Sequence, residues 1–235
     1  MKYIRPLFYE IKLQFRGGFY FAYIFVTILY IAFLRSIPSG FKDILAVFII
    51  YSDPSIITFY FVAGMILLEK NEKTLDSVFL SSMSINLYLI NKVLSLGAIS
   101  LFTSFVIITA SYGFDYNPFM LCIAVILSSA FYTLAGIAIS VKSPTINRFI
   151  YPSIGFVMLF TLPAVNYIPQ IHFFVFEYLP AMSIIRLLDY SLRGEFTFTD
   201  SLINSLYGFS MVVLAFIFAR YRFKKYIIEK IGGVT

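Results

Sequence analysis

Long apolar runs separated by short polar breaks organise the whole chain, and many of the runs have the length of a bilayer crossing. A helix rises about 1.5 Å per residue and a hydrocarbon core is about 30 Å thick, so about 20 apolar residues suffice to cross it. The runs predict six spans, over residues 19–34, 54–68, 85–112, 118–141, 146–163 and 202–219, with Pro152 inside the fifth. Ahead of the first, Ile4, Leu7, Phe8, Ile11 and Phe15 recur on one helical stripe while Lys2, Arg5, Lys12 and Arg16 take another side. That pattern predicts an interfacial helix, and Gly17-Gly18 turns it into the first span as an elbow over residues 1–18.

Two stretches need more than a length argument. Asp53-Pro54 has the form of a helix N-cap followed by proline at the first position, which starts the second span at Pro54 and leaves 36–53 as an external connection with an apolar patch at 44–51. The alternative is one span from Ile44 to Leu68, kinked at Pro54, with Asp53 partly inside the membrane. The cost of an unpaired carboxylate in lipid favours the cap. Pro163, Pro169 and Pro180 cut the apolar stretch 163–195 into pieces too short to cross, which read as external half-helices, among them 171–179 and 181–192. Asp189 and Arg193 stand at i,i+4 in the favourable order, one turn after Arg186. Between the second and third spans, residues 69–84 are polar but carry Leu75, Val78, Phe79 and Met83 at helical spacing, predicting a short amphipathic helix. Lys92 lies close enough to the start of the third span to snorkel to the interface.

Composition agrees with lipid as the solvent: of 235 residues 60% are hydrophobic and 13% charged, with a mean hydropathy of +0.88. The fold class is an all-α integral membrane protein, one transmembrane domain over 1–235. Bulky residues persist to Leu34 and no small-x-small site follows, so the first run reads as a mature span and not a cleaved leader. The net charge of +6 is divided by the spans and never forms a continuous basic face, which argues against nucleic acid. With both ends inside, fourteen Lys and Arg lie on the cytoplasmic side against four outside, Arg35, Lys42, Arg186 and Arg193. Acidic residues run the other way, seven outside and five inside. Both termini are therefore expected in the cytoplasm.

Catalytic chemistry has little to stand on. No G-x-x-x-x-G-K-[ST] run is present, so the chain has no phosphate-cradling loop. His172 is the sole histidine and reads as an interfacial aromatic, and Cys122 is the sole cysteine and sits in an apolar run. Neither a catalytic set nor a metal site is expected. Membrane-embedded Thr103, Ser104, Ser128, Ser129 and Thr133 are expected to bond their own helix backbone or a neighbouring helix. Aromatic residues make up 20% of the chain, and Asp53, Phe59, Phe61, Glu177 and Arg186 are the candidates for a translocation path or outer gate.

The polar run Glu69-Lys70-Asn71-Glu72-Lys73-Thr74-Leu75-Asp76-Ser77-Val78-Phe79-Leu80, with Ser84-Ile85-Asn86-Leu87-Tyr88-Leu89-Ile90-Asn91-Lys92 after it, resembles type-2 ABC exporter permeases. There an acidic run leaves the second span, forms a coupling helix and re-enters through a tyrosine-bearing segment ending in lysine. Leu13-Gln14-Phe15-Arg16, Gly18-Phe19-Tyr20, Ala22-Tyr23, Phe25-Val26-Thr27 and Asp53-Pro54-Ser55 are similar to the subgroup named for fluoroquinolone export. The family usually has glycine where Lys73 stands and often proline where Ser82 stands. The resemblance implies a prokaryotic plasma-membrane exporter in which two permease subunits, identical or related, sit on two ATPase subunits that bind ATP and Mg. This chain would bind no cofactor and would carry a hydrophobic or amphiphilic cargo. The ATPase contact would fall on Glu69, Lys70, Glu72, Lys73, Thr74, Leu75, Asp76, Val78 and Phe79, with a smaller one on Arg5, Phe8, Lys12 and Arg16 of the elbow. The competing class is a membrane immunity or assembly factor that binds a peptide or lipid without transport.

Overall fold

A computed structural model describes residues 4–80, 83–168, 172–194 and 197–229. Among them, six helices are long and apolar enough to cross a membrane. Helix α1 (Ile4–Arg16) precedes α2 (Phe19–Ser36), the first span, with Gly18 between them at φ 75°. The second span is α3 (Ser39–Ser52) and α4 (Thr58–Asn71), joined by a π-turn at Asp53–Ile57. A short helix α5 (Thr74–Leu80) leads to the third span α6 (Ile85–Tyr112), the fourth α7 (Pro118–Ser140) and the fifth α8 (Ile146–Thr161). Two 3-10 turns, Leu162–Tyr167 and Phe174–Tyr178, connect α8 to α9 (Pro180–Arg193), and the sixth span α10 (Phe198–Phe223) ends in a π-turn at Lys224–Ile228.

Helix α7 is the axis of the bundle. In its most apolar stretch 78% of residues are buried, against 17% in α2 and in α10, because α4, α6, α9 and α10 all pack on it. The outer faces of α2 and α10, with Phe21, Phe25, Leu206 and Phe209, are left as an apolar surface suited to lipid or another membrane helix. Side chains close both ends of the connection between α6 and α7. Asn117 Oδ1 accepts from the N–H groups of Phe119 and Met120 at 3.1 and 3.2 Å, with Pro118 at the first position of α7. Arg35 and Lys42 donate to the last carbonyls of α6, Ala110 at 2.9 Å and Ser111 at 2.6 Å, where the helix dipole favours a cation.

The second span corrects the cap reading. The stretch 44–51 is not an external connection: Ala46, Val47 and Ile50 are fully buried in α3, and the helix continues through Asp53. Widening to a π-turn at Asp53–Ile57 accommodates Pro54, whose ring and missing N–H would break a regular α-turn. Asp53 is inside the protein and not in lipid: it is 1% exposed and accepts from Thr103 Oγ1 at 2.6 Å, a bond that offsets part of the cost of burying it. Lys92 is corrected too, being fully buried with no snorkel.

In the stretch 163–195, Pro163 opens a 3-10 turn and Pro180 starts α9, whose Met182, Ile185 and Leu188 are buried where it packs on α3, α7 and α10. The Asp189–Arg193 pair closes at 2.8 Å. Pro169, Ile171 and Ser82 lie outside the described residues, as do Lys2 and Lys230. His172 is exposed.

Candidate functional site

Three segments converge on one ammonium group. Lys92, on the first turns of α6, pairs with Glu10 Oε2 of α1 at 2.6 Å and with Glu69 at the end of α4. Glu69 also accepts from the Tyr88 hydroxyl at 2.5 Å, and the Lys92 ammonium lies 5.3 Å from the centre of the Tyr88 ring. Gln14, one turn beyond Glu10, donates to Ser95 Oγ at 2.8 Å, one turn beyond Lys92, so the two helices are joined at two levels. Glu10 and Glu69 are each 4% exposed. Burial raises the Glu10 carboxyl above the ordinary carboxylate range, opposed by the Lys92 ammonium and reinforced by the Glu69 carboxylate.

Directly after Glu69 the chain turns into α5, and each residue there has a distinct environment. Lys70 donates to the carbonyls of Val141 and Ser143 at 2.6 and 2.9 Å, closing the C-terminus of α7. Glu72 and Lys73 are exposed, and Lys73 adopts φ 55°, a left-handed conformation uncommon for a residue with a Cβ. Thr74 Oγ1 donates back to the Glu69 carbonyl at 3.1 Å. Leu75 is buried, Val78 is half-buried, and Phe79 packs on Tyr88 and Phe223 with ring centres at 5.5 and 5.2 Å. The amphipathic pattern is thus real, with its apolar side turned inward onto α6 and α10. Ser77 is exposed beside the charged tip. The Asp76, Arg5 and Phe8 side chains lie outside the description, while Lys12 and Arg16 of α1 are exposed.

The candidates for the path are not gathered in one place. Phe59 is fully buried and stacks on Phe156 at 5.3 Å, and Phe61 packs on Phe19 and Tyr23. Glu177 and Arg186 are an exposed pair at 4.0 Å, a geometry of small energetic weight. Asp53 belongs to a polar seam through the bundle: besides its bond from Thr103, Ser55 meets Ser128 at 2.7 Å, and Thr58 meets Tyr23 at 3.2 Å and Ser100 at 3.1 Å. Ser128 thus bonds a neighbouring helix as expected, whereas the buried hydroxyls of Ser104, Ser129 and Thr133 have no partner among the described residues. Among the described residues no group of three or more His, Cys, Asp or Glu side chains could hold a metal.

Sequence reading missed Glu10 and the burial of Lys92. The signal was present: Tyr88, Lys92 and Ser95 form an i, i+4, i+7 polar stripe that carries the only charge of the third span, and Glu10 and Gln14 form an i,i+4 polar pair on α1. Two such stripes at membrane depth each need a partner.

Known proteins place this bundle. Two relatives from strains of Mycobacterium tuberculosis, both named fluoroquinolones export permease protein, are 28% identical over 159 residues, covering 67% of this chain and 67% of each relative. No solved structure matches. The family model described as fluoroquinolones export permease protein matches residues 2–231, and the chain, a multi-pass membrane protein, belongs to that permease family.

Proposed function

We propose that this chain is the membrane subunit of an ATP-driven exporter of the ABC type, pairing with a second permease subunit and docking on a pair of ATPase subunits that bind ATP and Mg. The observation that carries the reading is α5: a seven-residue helix whose apolar side is held by Tyr88 and Phe223 and whose exposed tip, Glu72, Lys73 and Ser77, is charged and polar. In this reading the tip is the contact surface, Leu75, Val78 and Phe79 transmit its movement into the bundle, and Lys12 and Arg16 of α1 add a smaller contact. The end carrying α1 and α5 faces the cytoplasm of a prokaryote, in line with the excess of Lys and Arg there. The family name supports export of a fluoroquinolone-like amphiphile, and Asp53, Phe59 and Phe61 stand nearer the bundle interior than the exposed Glu177 and Arg186.

Reversing the charges in a Glu72→Lys, Lys73→Glu pair is expected to lower ATP-dependent efflux of a fluoroquinolone from cells by about tenfold or more, since like charges brought together at a contact cost several kcal/mol. The amount of chain in the membrane should be unchanged, and the ATPase should no longer copurify. Wild-type efflux with the reversed pair, or failure of any ATPase to copurify with the unaltered chain, would sink the reading. Failure to copurify together with no ATP-dependent efflux from the unaltered chain would favour a non-transporting binder.

A further inference from the structure

We propose that Asp53 and the groove between α2 and α6 form a binding site for a flat apolar organic cation, resting on the exporter reading for its purpose but not for its test. The groove has a volume of about 520 Å³ and is lined chiefly by apolar and aromatic side chains, among them Tyr20, Tyr23, Ile28 and Phe102. That size suits a drug-sized molecule. Its polar features are few, and Asp53 stands behind the wall, reached through the hydroxyl of the lining residue Thr103. Thr27 lines it with a buried hydroxyl that has no partner, and Thr103 lines it while donating to Asp53 Oδ2 at 2.6 Å. The other carboxyl oxygen, Oδ1, is buried and, like the Thr27 hydroxyl, has no partner among the described residues.

No Lys, Arg or His among the described residues pairs with Asp53. A carboxylate held at membrane depth with an unpartnered oxygen is costly unless it takes up a proton or something supplies the missing donor or charge, and a cationic ligand does the latter. The π-turn adds a second reason to regard the position as built for a ligand: it sets the carboxyl at a break in the regular hydrogen-bond ladder, as such turns often do at functional sites. A cationic amine with an aromatic body satisfies both parts of the site. Its charge lies across the Thr103 hydroxyl from Asp53, and its rings lie against Tyr20, Tyr23 and Phe102.

The test uses the full chain in lipid nanodiscs with no ATPase present, so a failure of the exporter reading leaves it intact. The probes are ethidium, a flat aromatic cation, and phenanthridine, its uncharged ring system, each measured against empty nanodiscs. Asp53→Asn keeps the shape and the Thr103 bond. It is expected to weaken ethidium binding by about tenfold or more while phenanthridine changes by less than about twofold. Thr27→Leu, which fills the groove, should weaken both probes. Unchanged ethidium binding in Asp53→Asn, equal loss of both probes in that variant, unchanged binding in Thr27→Leu, or no wild-type binding above empty nanodiscs would overturn the proposal.

Discussion

Replacing Lys92 by methionine is expected to cost the folded chain about 3–5 kcal/mol, the penalty of leaving buried charge without its counterion. Glu10 and Glu69 both face that ammonium and are each 4% exposed, so removal leaves two carboxylates confronting each other in a dry site. The effect should be read as a lower unfolding midpoint in detergent and as faster proteolysis at Gly17-Gly18, because α1 loses its anchor to α6. A Glu10→Gln, Lys92→Met, Glu69→Gln triple variant removes the charges together and should recover most of the loss. If the single variant melts with the wild type, the triad is not holding α1 in place.

Gly136→Ala should destabilise by about 1–3 kcal/mol, the usual cost of forcing extra volume into a packed interior. A Cβ at that position would stand 2.6 Å from Val62 Cγ1 and 2.7 Å from the Phe59 carbonyl oxygen. The second of these is backbone, so α4 and α7 must separate for the methyl to fit. Helices in lipid associate largely through such close packing at small residues, and α7 is the axis on which four other helices lie. Gly155→Ala in α8 is the control of opposite sign: nothing lies within 4 Å of its Cβ position, and the higher helix propensity of alanine should stabilise by up to about 1 kcal/mol. Thermal unfolding of the two variants under one set of conditions decides the matter. Equal shifts would mean that the α4–α7 approach is not tight.

Span lengths and local caps were legible because each depends on neighbours in the chain. The third span was expected at 85–112 and is found at Ile85–Tyr112, and Asn117-Pro118 opens the fourth as its residues suggest. Asp53-Pro54 shows where that logic stops. The same dipeptide fits an N-cap at the surface or a widened turn inside the bundle, and the deciding group, Thr103, is 50 residues away. Glu10 finds Lys92 across 82 residues, a pairing that helical periodicity alone could flag as a need but not assign. Lys73 is an intermediate case. Its φ of 55° makes a left-handed turn between α4 and α5, which suits a residue without a Cβ and accords with the glycine that the resemblance to type-2 ABC exporter permeases implies there. Lysine holds the same turn at some cost in strain.

The π-turn at Asp53–Ile57 also sets the rotational phase of the second span. A turn of that kind holds one residue more than an α-turn, and each residue advances a helix by about 100°. Above it, the Tyr51 hydroxyl meets Tyr132 at 2.6 Å; below it, Thr58 faces Tyr23 and Ser100, and Glu69 faces Lys92. A helix without the extra residue could satisfy one of these sets but would present the other about a quarter-turn away from its partners. The turn that admits Pro54 is therefore an indexing step, and the chain carries the orientation of α5 in a backbone register some 16 residues upstream of Glu69.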